Sequence, residues 1–289
     1  MLVFLSSFKL FSGDYFMNWK KNVLAKKIWR YSVDFGRPIL ANMLSGPVVL
    51  ANSFPKSGTH LLTQILEPLG QIDFGNFISS TPSFSMKELS GNAHIKAINS
   101  LLPNEMSPAH MYYSEEYEVE LKLRNIIHFF IFRDPRDVVV SDANYLANMN
   151  RWHKLHPYLK AAHDRYDLVI RGVETDKFYW PNIGERMARY NAWLNCEDVC
   201  AVRYEDLMGS KRGEELERMV EFYKTRVGAS FNSANMVQRC IDSIDPARSH
   251  TFHKGSGNSW NSSLTRSNIE LFESVAGQIC SDWGYKTGL

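Results

Sequence analysis

Lys56, Ser57, Gly58, Thr59 and His60 lie between the apolar run Pro47-Val-Val-Leu-Ala-Asn-Ser-Phe54, closed by Pro55, and the stretch Leu61-Leu-Thr-Gln-Ile-Leu66. A strand that breaks at a Pro/Gly turn and restarts as a helix gathers backbone NH groups at the free helix N-terminus. Unpaired donors and the positive end of the helix dipole there favour an anion such as phosphate or sulfate. Lys56 adds a full charge, Gly58 lets the backbone approach a ligand without a Cβ, and Ser57 and Thr59 offer hydroxyls. An ordinary capped strand-turn-helix has the same tripeptide Lys-Ser-Gly. The ATP/GTP P-loop, by contrast, puts Gly-Lys-Ser/Thr at the end of a longer glycine-rich loop. Here Lys56 precedes its only nearby glycine, so the loop suits a single terminal anion better than a metal-bearing β/γ-phosphate pair.

A second anion site is written into Ile131-Phe-Arg-Asp-Pro-Arg-Asp-Val-Val-Val-Ser-Asp142. Arg133 leaves a strand where Pro135 opens a helix that Asp134 can cap. Ser141 follows two helical turns in. The planar fork of an arginine matches phosphate oxygens bidentately, and a hydroxyl completes a clamp. Taken alone, the segment reads more readily as an Arg-Asp-Arg-Asp surface pairing worth little.

These residues need a scaffold that brings strand ends together. Continuous apolar, β-branched runs predict buried parallel strands at Val48–Phe54, His94–Asn99, Asn125–Phe132 and Val199–Arg203. Helical patterns or polar turns follow each, the rhythm of an α/β fold with an open parallel sheet, which binds ligands at the carboxyl ends of its strands. Residues 146–195 form a Trp-, Tyr- and His-rich region that covers a sheet edge or forms a substrate lid. A polar loop spans Ala247–Thr265, and an amphipathic helix runs from about Ser267 to Cys280.

With 289 residues and 44% hydrophobic content the chain can bury the core of one large domain. The 33 Lys and Arg nearly balance 31 Asp and Glu, so no nucleic-acid partner is indicated and any anion site is local. The four cysteines lack metal or redox spacing and read as reduced structural thiols. Residues 1–16 are apolar but lack the features of a signal peptide, and Lys9 and Asp14 interrupt them before a spanning length is reached. They read either as a disordered N-terminus or as a stretch that precedes a start at Met17. Residues 17–45 carry Lys20, Lys21, Lys26, Lys27 and Arg30 among apolar positions, a basic amphipathic helix that packs on the domain or touches a membrane surface. The domain itself is expected over 46–289, in the cytoplasm.

Pro-Lys-Ser-Gly-Thr after a hydrophobic strand resembles the 5′-phosphosulfate loop of sulfotransferases that use 3′-phosphoadenosine 5′-phosphosulfate (PAPS). Arg-Asp-Pro-Arg-Asp-Val-Val-Val-Ser resembles the 3′-phosphate motif of the same family, and Arg203-Tyr-Glu-Asp-Leu207 resembles a strand-end motif whose Tyr contacts adenine. The late loop Thr251-Phe-His-Lys-Gly-Ser-Gly-Asn-Ser-Trp260 resembles the third signature, with Lys254, Gly255, Trp260 and Thr265 on pattern. His253 replaces the usual Arg there, Asn258 the second Gly and Ser259 the Asp. The resemblance spans residues 48–265. It implies a single domain of P-loop-NTPase-like sulfotransferase fold, with a central parallel sheet flanked by helices. PAPS would be the co-substrate and no metal is required. The cofactor-binding set is Lys56, Ser57, Gly58, Thr59 and His60 at the phosphosulfate, with Arg133, Ser141, Tyr204, Phe252, His253, Lys254 and Gly255 at the nucleoside and 3′-phosphate.

The family uses a histidine base at the end of the strand after the first crossover helix. In one register His94 takes that role; in another Ile98 falls there and Lys96 becomes the second candidate. Lys56 and His94 are therefore the expected catalytic pair, acting on a small-molecule hydroxyl or amine acceptor. Trp152, His153, His156, Tyr158, Tyr166, Tyr179 and Trp180 either line its pocket or pack a lid. His60 and Leu61 replace a usual Thr and an adenine-stacking Trp. A non-catalytic nucleotide-binding protein of the same fold and a P-loop kinase are the competing readings, and the resemblance leaves homodimerisation open.

Overall fold

The computed structural model describes residues 44–82, 85–228, 230–248 and 258–287. The segments expected at 1–16 and, up to residue 43, at 17–45 lie outside them. Strand β1 (Val49–Ser53) leads into helix α1 (Thr59–Leu66), and the short β2 (Ile78–Ser79) is followed by α2 (Gly91–Asn99). Next come β3 (Met106–His110), α3 (Glu115–Leu123), β4 (Ile127–Phe132) and α4 (Pro135–Asn148). The aromatic region holds α5 (His156–Ala161), α6 (Arg165–Arg171), the antiparallel hairpin of β5 (Val173–Thr175) and β6 (Phe178–Trp180), and α7 (Ile183–Ala188). The chain continues through β7 (Val199–Arg203), α8 (Tyr204–Met208), α9 (Arg212–Val227), α10 (Ser233–Asp242), α11 (Trp260–Ser263) and α12 (Arg266–Asp282).

Five strands form one parallel sheet in the order β2-β3-β1-β4-β7. Side chains alternate across a strand, and here both faces are buried. Leu50, Phe130 and Phe132 enter one core, roofed by Val138 and Val139 of α4, Ile170 of α6, Met187 of α7 and Phe272 of α12. Val49, Ala51, Phe129 and Ile131 enter the other, against Leu62 and Ile65 of α1, Met219 of α9 and Cys240 of α10. Burial on both sides is why these strands read as unbroken apolar runs.

One expected strand is wrong. Residues 94–99 lie in helix α2, whose buried residues His94 and Ile98 are four apart, the helical rather than the strand period. The strand that occupies the position is β3, about a dozen residues later. Its Pro108, a residue that usually argues against an inner strand, hides it in the sequence. The sheet accommodates that proline because β2 pairs with β3 only from Ala109 onwards, while Pro108 faces Ala51 of β1.

The register levels the strand ends. Asn52 lies beside Ala109, Ser53 beside Ile131, and Ile131 beside Val202. Ser53, His110, Arg133 and Tyr204 consequently emerge along one edge of the sheet.

At the opposite end, His128 of β4 is buried against Trp193, with 4.6 Å between ring centres, and neither ring nitrogen has a protein partner. Burial pushes its pKa down to about 3, against an ordinary 6.5. Below pH 6.5 the unfolded chain binds a proton that the folded chain refuses, so stability falls as pH drops towards 3, by on the order of 1 kcal/mol per pH unit for this group. His128→Phe is expected to remove that share of the acid sensitivity, measured as the slope of urea-unfolding stability between pH 6 and pH 4.

Candidate active site

The loop after β1 is shaped to present donors. Ser57 N donates to Phe54 O at 3.1 Å, closing the turn. Lys56 and Gly58 take left-handed backbone angles, with φ of 67° and 106°. A non-glycine residue rarely adopts such an angle, and Lys56 keeps it at the tip of the loop. Gly58 is the N-cap of α1 and no side chain caps the helix, so its first-turn NH groups are not consumed by a cap. A Cβ at Gly58 would lie 2.7 Å from the Tyr204 ring, which only glycine avoids. Ser57 is fully buried, yet its Oγ has no protein partner. Thr59 Oγ1 shares a 2.7 Å hydrogen bond with Ser53 Oγ, and His60 is exposed.

Lys56 Nζ stands 3.7 Å from the centre of the Tyr145 ring. Burial lowers its pKa to about 8; Asp142 opposes the shift and Arg133 adds to it. Tyr145 and Ser141 are four apart on α4, so the hydroxyl of Ser141 shares the helix face that meets the lysine.

Arg133 follows directly on β4. Asp134 caps α4 by accepting from Arg136 N at 2.9 Å, as the sequence predicts. The Arg133 guanidinium lies 4.5 Å from the centre of the Tyr204 ring and 3.3 Å from Asp137 Oδ2, and its buried Nε has no protein partner. Tyr204, at the start of α8, thus touches both anion-site candidates, Gly58 on one side and Arg133 on the other.

Asp137 also fastens the end of the late loop. It accepts from Asn258 N at 3.0 Å, Ser259 Oγ at 2.7 Å and Trp260 N at 3.0 Å. The Trp260 ring lies 4.0 Å from the guanidinium carbon of Arg136. Residues 258–260 are therefore tied beside Arg133. Phe252, His253, Lys254 and Gly255 lie outside the described residues.

His94 is not at a strand end. It is 1% exposed inside α2 and stacks on Tyr117, with Nε2 2.9 Å from Ser80 Oγ and Nδ1 3.0 Å from Ser90 O. Both nitrogens are engaged in holding the loop before α2 to the body of the domain, the arrangement of a structural histidine.

The histidine at the strand end is His110, which the sequence reading missed. Its Nδ1 is 3.0 Å from both the carbonyl and the hydroxyl oxygen of Ser53, immediately before the Lys56 loop. Donation to the carbonyl places the proton on Nδ1 and leaves Nε2 as the acceptor. Burial lowers its pKa to about 4, against weak opposition from the Ser53 hydrogen bond and Asp142. Asn52 braces this corner: its amide bonds both the NH and the carbonyl of Met111, the residue after His110.

A cavity opens beside His110, lined among others by Pro55, Tyr112, Trp180, Arg186 and Tyr190. Of the aromatic candidates, Tyr179 and Trp180 line it and His153 packs edge-on against Trp180. The rest do not line it: Trp152 is exposed, His156 bonds the Leu146 carbonyl, Tyr158 packs on Phe178 and Tyr166 packs against the core.

Among the described residues no helix is long and apolar enough to cross a membrane, and no cluster of His, Cys, Asp and Glu has the makings of a metal site. A search of curated proteins finds no match to this chain. Among solved structures, mouse sulfotransferase SULT7A1 complexed with PAP shares the fold at a TM-score of 0.55 and 16% identity, covering 85% of this chain and 92% of the mouse chain. The family model described as Sulfotransferase domain matches residues 47–284. That match takes in every strand of the sheet and both candidate anion sites, and the chain belongs to the sulfotransferase family.

Proposed function

We propose that the protein transfers a sulfuryl group from PAPS to a hydroxyl or amine of a small-molecule acceptor and releases 3′-phosphoadenosine 5′-phosphate (PAP). The observation that carries this reading is the contact of Tyr204 with both Gly58 and Arg133, which joins two anion sites into one two-ended nucleotide site. Two buried polar atoms without a protein partner, Ser57 Oγ and Arg133 Nε, fit such a ligand, one at each end. The PAP bound to the mouse sulfotransferase supports the same ligand class.

Bound PAPS supplies an activated sulfur whose bond to the phosphate oxygen is replaced by a bond to the acceptor. The α1 NH groups, Ser57 and Thr59 hold the phosphosulfate; Arg133 and Ser141 hold the 3′-phosphate, with Lys254 and Gly255 as the loop's contribution. Lys56 stabilises charge on the leaving phosphate. His110 replaces His94 as the general base: it lines the cavity beside the Lys56 loop, and burial keeps it neutral at pH 7 and able to accept the acceptor's proton at Nε2.

The test is calorimetric titration with PAP, followed by PAP release from PAPS across a panel of phenols, alcohols and amines. Micromolar PAP binding that ATP with magnesium does not displace is expected, with release that depends on an acceptor. Displacement by ATP would favour a kinase, and binding with no transfer to any acceptor a non-catalytic nucleotide-binding protein.

A further inference from the structure

Two side chains that line the cavity beside His110 each carry a buried hydrogen-bond donor that the protein leaves unmet. Arg186 is 5% exposed; its Nη2 bonds Asp142 Oδ2 at 2.5 Å, but its Nη1 has no protein partner. Trp180 Nε1 is likewise buried and unpartnered. The two side chains are neighbours, with the guanidinium carbon 4.5 Å from the centre of the indole ring, and both line the cavity. Buried donors without partners are rare in native proteins and each calls for an explanation, a bound ligand among them.

The chemistry of the donors selects that ligand. A guanidinium and an indole NH can only donate, so their complement is an acceptor, and a carboxylate answers both the two donors and the guanidinium's charge. The charge balance points the same way. Asp142 is the acidic partner of Arg186 and also acts on Lys56, so one carboxylate is shared between two cations. Tyr112 and Tyr190 offer apolar walls for the body of the molecule.

We propose that Arg186 and Trp180 form a carboxylate-binding subsite in the acceptor cavity, so that the preferred acceptor is a hydroxyl or amine compound that also carries a carboxylate. This rests on the sulfotransferase reading, which makes the cavity the acceptor's. Arg186 and Trp180 are specificity-determining residues: they choose and orient the acceptor, while Lys56 and His110 serve the transfer.

The experiment titrates the PAP-loaded protein with 4-hydroxyphenylacetate and with 4-ethylphenol, a neutral molecule of similar size. The carboxylate is expected to bind at least about tenfold more tightly, the factor of one charge-assisted hydrogen bond. Trp180→Phe keeps the packing against His153 and should reduce that preference severalfold. Arg186→Lys keeps a cation for Asp142 and should bring it close to unity, with PAP affinity unchanged in both variants. Equal binding of the two probes, binding of neither, or a preference that survives both substitutions would overturn the subsite. A wild-type protein that fails to bind PAP at all overturns instead the reading on which the subsite rests.

Discussion

Lys56→Met is expected to lower turnover by about 100- to 1000-fold, the usual loss when one preorganised donor to a developing anion is removed. Methionine keeps the unbranched stem against Tyr145 and faces the same left-handed backbone angle as lysine, so the fold should survive. Thermal unfolding within a few degrees of wild type would confirm that. The wild-type pH profile carries a second signature of this residue. Its pKa is held near 8 by burial, so the protonated form is lost as pH rises through 8. kcat/KM for PAPS, which reports the free enzyme, should fall above about pH 8 and lose this limb in Lys56→Met. A profile flat to pH 10 would show that the charge on Lys56 is not used.

His110→Asn is expected to reduce kcat by about 100- to 10,000-fold, the range for loss of general base catalysis. The asparagine amide can still donate to the Ser53 carbonyl that His110 now meets, so PAP affinity should stay within about twofold. His94→Gln is the control. It leaves a side chain able to bond Ser80, costs on the order of 1–3 kcal/mol of stability through imperfect replacement of a buried hydrogen-bonding group, and should leave kcat of the folded protein unchanged. If turnover collapses in His94→Gln and persists in His110→Asn, the base has been assigned to the wrong histidine.

The two histidines show where sequence reasoning succeeds and fails. The Lys56 loop and the Arg133 helix are local: a Pro/Gly break between an apolar strand and a helix, and an Asp-Pro start, announce themselves within a dozen residues. Structure adds to them only their partners. The position of the proposed base is non-local. His94 looked suitable because His94 to Asn99 is apolar enough for a strand, but the same residues bury a helical stripe, and a short apolar run does not distinguish the two periods. His110 was concealed by Pro108, whose tolerance depends on how few residues β2 pairs. A small additional signal was present: a histidine at the end of an apolar run, in a fold that binds ligands at strand ends.

Tyr204 and Asp137 make the same point about partners. The motif around Tyr204 suggested a purine contact, but not that its ring fills the space a Gly58 side chain would need. Asp137 read as one charge in an Arg-Asp-Arg-Asp string, yet it bonds three groups of a loop more than 120 residues later. A long-range bond of that kind leaves no period or spacing in the sequence.

By itself, the sequence determined the sulfotransferase family, the α/β parallel sheet and the two candidate anion-binding segments, because each depends on residue patterns that act within one turn, strand or helix. Only the tertiary structure decided which histidine stands beside the Lys56 loop, which aromatic residues line the cavity, and that Arg186 and Trp180 meet there with donors unpaired. Those outcomes are set by strand register and by the packing of distant segments, and register is a property of pairs of strands rather than of any one stretch of chain.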